Sequence, residues 1–330
     1  MTTSLHSRRH VLQGIASGAA ICALPAQSWA QAFPNKPIKV LVPFPPGGAS
    51  DGSARVVAEG LSKRIGQPVV VENRPGAGGV VAGNAVAQSP PDGYTIMLAY
   101  NGLMTIVPLL GEKMPFDVLK DLTAVAKVGE YPSVLCVHPT MNVTTLRDIL
   151  ALAHATPGGL QYGTSGLGTV EHLLATTLGQ RTGAKLVHVP YKGAGPLIAD
   201  ALGGHVPMVF LSIGGGVPHI RAGKLKAIAV SSAERAAALP DVPTISESGV
   251  PNLVMNNWIG MVTRGSTPRA LIETLNTEIN AVLATPEVRE KLVSLGVGIT
   301  PGPIDAFQAQ IKREYEMNGP LVKAAGLTTP

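Results

Sequence analysis

Cysteine is almost absent from this chain. Of 330 residues only Cys22 and Cys136 are cysteine, and Cys22 falls in a stretch expected to be removed. One remaining cysteine cannot form an intramolecular disulfide, so stability has to come from the core. Charged residues make up 14% and aromatics 4%, and no basic run interleaved with aromatics argues for nucleic acid. No charge-free run of about 18 apolar residues occurs beyond the N-terminus, so no membrane span is expected there. Catalytic and cofactor signatures are missing as well. Gly163-Thr164-Ser165-Gly166-Leu167 lacks the last glycine of a nucleophile elbow, Gly166-Leu167-Gly168-Thr169-Val170-Glu171 ends in Glu where a dinucleotide fingerprint needs a small residue, and no GK[ST] phosphate loop occurs. Histidines at 138, 154, 172, 188, 205 and 219 have no metal-like spacing. No catalytic residue, cofactor or metal is therefore expected.

What is present is hydrophobic: 45% apolar residues and a mean hydropathy of +0.25, enough for ample core in two domains. The first 30 residues read as an export signal. Arg8 and Arg9 are paired, 14–24 is apolar, and Ser28-Trp29-Ala30 is a small-x-small site for cleavage after Ala30. The pair resembles a twin-arginine signal; an ordinary secretion signal holding two arginines is the alternative. Cleavage removes Arg8 and Arg9 and no acid, lowering the formal charge from +5 to +3.

Beyond residue 30, apolar runs alternate with amphipathic stretches. Strands are expected at 38–43, 69–72 and 95–100 with helices at 53–65 and 78–88 between them, a pattern that implies a parallel sheet covered on both faces. The extended segment 122–138 is long enough to leave one sheet and enter another. A second series follows, with helices at 145–154, 169–180, 196–202 and 217–222 and strands at 160–163, 186–190, 208–212 and 225–230. The chain crosses back near 252–262 and ends in helices at 268–284, 286–295 and 304–325. The organisation expected is an export segment 1–30, a first lobe of 31–131 with 254–330, and a second lobe of 132–253. A ligand would lie between them, at the carboxyl ends of the strands.

Two glycine-rich turns carry the functional reading. In Val42-Pro43-Phe44-Pro45-Pro46-Gly47-Gly48-Ala49-Ser50-Asp51 a strand runs into a helix with Ser50 or Asp51 as N-cap, leaving bare N–H groups for a small anion. Tyr162-Gly163-Thr164-Ser165-Gly166-Leu167-Gly168-Thr169 repeats the arrangement, with Ser165 and Thr169 adding hydroxyls. Either turn alone reads as a tight, capped strand-to-helix loop; as a pair in an exported, two-lobed protein they point to binding. His172, on the first helical turn, either touches the ligand or caps. Tyr100-Asn101 ends one strand and Tyr191-Lys192 another, with Lys192 a cation for a second carboxylate or a solvated rim charge. Two other readings stay open: an exported hydrolase using Ser165 and His172, and a sensor module docked on a membrane kinase.

These residues, together with Val71-Glu72-Asn73-Arg74-Pro75-Gly76-Ala77-Gly78-Gly79, Pro91-Asp92-Gly93-Tyr94-Thr95, Val189-Pro190-Tyr191-Lys192-Gly193, Leu239-Pro240-Asp241-Val242-Pro243-Thr244 and Trp258-Ile259-Gly260, resemble the Bug receptors, the tricarboxylate-binding periplasmic components of tripartite tricarboxylate transporters. The resemblance implies an α/β periplasmic binding fold of type II, with two lobes, a central cleft and two crossover segments. It implies a monomer in the periplasm that closes on a small aliphatic or aromatic carboxylate and presents it to membrane permease subunits. It assigns the anion contacts to Pro46, Gly47, Gly48 and Asp51 and to Ser165, Gly166, Gly168 and Thr169, with Asp51 ordering its own loop. The chain departs from the pattern at Pro207, where an aspartate is usual, and at Leu211-Ser212, where an Asp-Asn pair is frequent. Those departures argue against a ligand that needs an acidic partner. Arg264 replaces a small residue, with no effect assigned to it.

Overall fold

In the computed structural model, which describes residues 33–111 and 113–328, glycine- and proline-bounded apolar runs become the strands. The export signal and its cleavage after Ala30 lie outside the described residues. β1 (Ile38–Val42) pairs in parallel with β2 (Val69–Asn73) and β3 (Thr95–Tyr100). Helix α1 (Ala49–Ile65) connects β1 to β2, and α2 (Val80–Ala87) connects β2 to β3. β4 (Leu122–Val137) is one 16-residue strand with two sets of neighbours. Residues 122–132 pair with β9 (Asn256–Arg264), whereas 133–137 pair with β7 (Met208–Ser212). The long extended segment thus passes from one half of the sheet to the other.

The second half adds α3 (Leu146–Ala155), β5 (Leu160–Thr164), α4 (Val170–Thr182), β6 (Leu186–Pro190), α5 (Ala194–Leu202), α6 (Ile213–Arg221) and β8 (Lys226–Val230). The chain returns through β9 and closes with α7 (Arg269–Ala284), α8 (Pro286–Ser294), β10 (Gly298–Ile299) and α9 (Ile304–Ala324). Strand order is β2-β1-β3-β9-β4-β7-β5-β6, with β8 and β10 also on β4. The sheet is therefore mixed rather than parallel: β9 runs antiparallel to both β3 and β4, and β7, β8 and β10 run antiparallel to β4. A strand buried on both faces is apolar throughout whichever way its neighbours run, so the sequence pattern does not carry the direction.

The core shows why these strands read as continuous apolar runs. Along β4, Leu135 and Val137 pack on one face with Ile149, Leu174 and Phe210, while Val134 and Cys136 pack on the other with Leu197, Val209 and Val230. The period of two holds, but both faces are dry. Burial pushes the Cys136 thiol up to about 12. Helix α9 lies across the returning strand: Trp258 Nε1 donates to Glu314 Oε2 at 2.7 Å, and its ring meets Phe307 edge-on at 5.0 Å. Trp258 is thus crossover packing. Among the described residues no helix is long and apolar enough to cross a membrane.

Candidate functional site

The first glycine-rich turn follows β1. Helix α1 begins at Ala49 with Gly48 as its N-cap, not Ser50 or Asp51; both of these sit inside the first turn. From there the buried Asp51 carboxylate reaches back. Its Oδ2 accepts from Gly47 N at 3.0 Å and from Arg55 Nε at 3.0 Å, and its Oδ1 accepts from Asn73 Nδ2 at 2.7 Å. The same Asn73 amide donates to Phe44 O. Burial alone would raise the Asp51 pKa, but the donors from Arg55, Asn73 and Gly47 outweigh it and hold the carboxyl below its usual range. The Gly47 N–H is consequently spent inside the loop, and Gly47, at φ +92°, serves as the turn. The N–H groups of Gly48, Ala49 and Ser50, at the helix start, are left without an intrahelical acceptor. Pro46 lies beside them on the exposed rim and has no N–H to offer.

The second turn joins β5 to α4. Thr169 is the N-cap, accepting from His172 N at 3.3 Å and donating its hydroxyl to Gly166 O at 3.0 Å. Gly168 N donates to His172 Nδ1 at 3.4 Å, so this glycine's N–H is also committed within the loop. The His172 ring stacks on His188 at 4.0 Å, and His188 Nε2 is 2.7 Å from Thr164 Oγ1. Burial lowers His172 to about 4 and, with the neighbouring His172 adding to it, His188 to about 3. No hydrogen bond joins Ser165 to His172 among the described residues, so the nucleophile-base contact of a hydrolase is not formed. Val170 and Glu171, at the first positions of α4, keep free N–H groups.

The third segment follows β6. Tyr191 N donates to Thr164 O at 3.1 Å and Gly193 N to Ser165 O at 2.9 Å, which fastens it to the second turn. Its Tyr191 hydroxyl is turned to Asp200 Oδ2 at 2.8 Å, and Lys192 is exposed. Neither side chain is drawn into the group that the other residues form.

Those other residues meet around β4, which pairs in both halves of the sheet, and β9 beside it. A Cβ on Gly193 would stand 3.9 Å from Pro45, bringing the first turn against the third. One on Gly102 would stand 2.6 Å from Gly168 O, and one on Gly168 2.6 Å from Val107 Cγ2, so the second turn abuts the segment after β3. Within this enclosure Tyr100 is buried, its ring 4.8 Å from Phe44 and its hydroxyl donating to Gly78 O at 3.0 Å. Asn101 is 4% exposed and donates to Asn256 O at 2.9 Å.

Four residues of the enclosure lie outside the sequence expectations. Glu171 is 6% exposed; its Oε1 accepts from Ser133 Oγ at 2.7 Å and Asn257 Nδ2 at 3.0 Å. Burial and the Glu171 carboxylate push the Tyr100 hydroxyl above its usual range, and they do the same to Tyr131, where the adjacent Ser50 side chain acts in the opposite sense. Ser50 from α1 is thereby set beside Tyr131, and the Glu171 charge from α4 reaches both tyrosines. The available signal was the polar break Tyr131-Pro132-Ser133 in an apolar strand and Asn256-Asn257 ahead of Trp258.

The chain has counterparts among known proteins. The chain is 37% identical to Protein BugT of Bordetella pertussis over 90% of its own length and 91% of that protein. An R. palustris protein solved with adipate superposes at a TM-score of 0.85, with 32% identity, 89% of this chain and 98% of that one covered. The periplasmic binding protein BugD superposes at 0.83, with 30% identity over 90% and 100% of the two chains. Residues 53–327 match the model of the tripartite tricarboxylate transporter family receptor, and the chain belongs to that family of α/β periplasmic binding proteins.

Proposed function

We propose that this protein is a periplasmic receptor that captures a small carboxylate in the enclosure between the two halves of its sheet and delivers it to the permease of a tripartite tricarboxylate-type transporter. The observation that carries this reading is that the turns opening two helix starts, Gly48-Ala49-Ser50 on α1 and Val170-Glu171 on α4, are joined through one segment: Gly193 N donates to Ser165 O at 2.9 Å, and a Cβ on Gly193 would stand 3.9 Å from Pro45. Each start carries about half a positive charge and free N–H donors, which suits a carboxylate held by main-chain groups. The adipate complex of the R. palustris neighbour supports that ligand class. The lobes are residues 31–131 with 254–330 and 132–253, and they close by bending where β4 and β9 pair, at 129–132 against 256–259. No chemistry is performed on the ligand.

Thermal shift of the purified chain against adipate and a panel of aliphatic and aromatic carboxylates tests the reading. A ligand at about a hundred times its Kd stabilises the folded state by roughly 2.7 kcal/mol, a shift of several degrees for a chain of this size. Absence of a saturable shift with every carboxylate, or turnover of an ester panel that Ser165→Ala abolishes, would refute it.

A further inference from the structure

Glu171 is the one acidic group in the enclosure that the loops do not employ. Asp51 is fully engaged by Gly47, Arg55 and Asn73. Glu171 instead uses only Oε1, taking neutral donors from Ser133 and Asn257, which are themselves joined by a 2.8 Å hydrogen bond. Its Oε2 receives no hydrogen bond and the carboxylate has no ion-pair partner among the described residues. A carboxylate 6% exposed is costly unless a cation or further donors compensate it.

A second side chain bonded to the returning strand also has an unmet acceptor. Asn101 Nδ2 donates to the carbonyl of Asn256, a group that can only accept, and this fixes Oδ1 as the outward atom of the amide. Asn101 Oδ1 is buried without a partner. Asn256 is the chain neighbour of Asn257, and Asn101 follows Tyr100, whose hydroxyl feels the Glu171 charge. Asn101 Oδ1, buried without a donor, and Glu171 Oε2, without a donor but reached by solvent, belong to side chains bonded to the returning strand, next to two helix starts with donors to spare.

We propose that Glu171 is a specificity-determining residue: Oε2 takes a hydrogen bond from the ligand, so the enclosure selects carboxylates that also carry an ammonium or hydroxyl group, ammonium before hydroxyl, over plain carboxylates. This rests on the carboxylate-receptor reading and narrows its ligand class. The sequence departures at Pro207 and Leu211-Ser212 argue against a ligand that needs an acidic partner, but the structure supplies an acid from another element. Pro207 lies at the far end of β7, where its carbonyl accepts from His138 N, while Leu211 is in the apolar core. It is Ser212 that sits opposite Ser133 at the Glu171 end of the strand. The acidic partner comes from the start of α4 instead of from β7.

The test is calorimetric titration of the purified chain with two matched series, succinate, malate and aspartate, then adipate, 2-hydroxyadipate and 2-aminoadipate. Within a series only the group at C2 changes. A charge-assisted hydrogen bond to a buried carboxylate predicts that the amino member binds roughly tenfold to a hundredfold tighter than the plain one, with the hydroxy member between. Glu171→Gln, checked for an unchanged melting temperature, is expected to compress that ratio to within about threefold, chiefly by weakening the amino member. Equal affinity for all members of the series that binds, or tighter binding of the plain acid by the unmodified chain, overturns the role of Glu171 and leaves the carboxylate-receptor reading standing. Absence of binding by all six acids overturns the role of Glu171, and absence of binding by every member of the wider carboxylate panel overturns both.

Discussion

Replacing Asp51 tests whether the first turn is held from below. The buried carboxylate accepts three donors, Gly47 N and Arg55 Nε at 3.0 Å and Asn73 Nδ2 at 2.7 Å. Arg55 is 51% exposed in its side chain, so its pair contributes about 0.5 kcal/mol. The other two are hydrogen bonds to a charged group with little water access, about 1.5 kcal/mol each. Asp51→Ala should therefore cost roughly 3–4 kcal/mol. Asp51→Asn, which keeps one acceptor oxygen, should cost about 1–2 kcal/mol. Asp51→Ala releases the Gly47 N–H and Asp51→Asn leaves it only a neutral acceptor, so the N–H groups of Gly48 to Ser50 lose their common direction, and adipate affinity should fall at least about tenfold, a loss of about 1.4 kcal/mol. Urea unfolding at pH 7 reads the stability change as a lower midpoint at unchanged slope, and calorimetry reads the affinity. The pH dependence has a defined sign. Because the folded pKa of Asp51 is depressed, its stabilisation is present above the unfolded value of 3.8 and is lost as pH falls through the lower folded value. Asp51→Asn should flatten that acid limb. A loss below about 1 kcal/mol for Asp51→Ala, or a large loss of stability with affinity intact, refutes the reasoning.

Three further outcomes follow from single contacts. His172 and His188 resist protonation down to about 4 and about 3, while an unfolded histidine takes its proton near 6.5. The unfolded chain thus binds more protons between those values, and stability should fall as pH drops from about 6.5 to 4, by up to about 3 kcal/mol from His172 and less from the half-buried His188; unfolding midpoints of His172→Gln across that range should be visibly flatter. Gly168→Ala places a Cβ at φ +70° and 2.6 Å from Val107 Cγ2; the backbone penalty alone is about 1–2 kcal/mol, and because the contact is between the second turn and the segment after β3, ligand affinity should drop about tenfold or more by calorimetry. Cys136, at 0% exposure with its thiol pushed up to about 12, should resist alkylation in the native chain and react only in denaturant, as mapped by mass spectrometry.

The strands were legible where glycine and proline bound a short apolar run, as at Ile38–Val42 and Leu186–Pro190. Sheet direction was not, because the return of β9 between β3 and β4 depends on chain closure over more than a hundred residues rather than on any local pattern. Helix α6 begins at Ile213, four residues before the expected 217. Gly214-Gly215-Gly216 is a poor helix former, yet a Cβ on Gly214 would stand 2.0 Å from Leu295 O and one on Gly216 2.8 Å from Val134 Cγ1. Close backbone approach there overrides propensity. In the site, the glycine turns announced themselves by composition. Tyr131, Ser133, Glu171 and Asn257 did not, since what assembles them is the register that places Tyr131 opposite Asn257. Asn73, recognised only as part of a motif, is the residue that ties Asp51 to Phe44.

The glycines of the two turns thus have a different task from the one composition suggests. Gly47 and Gly168 turn their N–H groups inward, to Asp51 and His172, and shape the loops; the helix starts behind them supply the donors. Two helix ends amount to about one positive charge, which balances one carboxylate. An ionised Glu171 adds a negative charge at the start of α4, tied through Asn257 to β9. A ligand with two carboxylates and nothing else would leave the enclosure with net negative charge. One that adds an ammonium reduces that excess by one charge, and places its cation against the hydrogen-bonded group of Glu171, Ser133 and Asn257 that links α4 to the crossing strands. Selection of the ligand and closure around it would then act through the same three side chains.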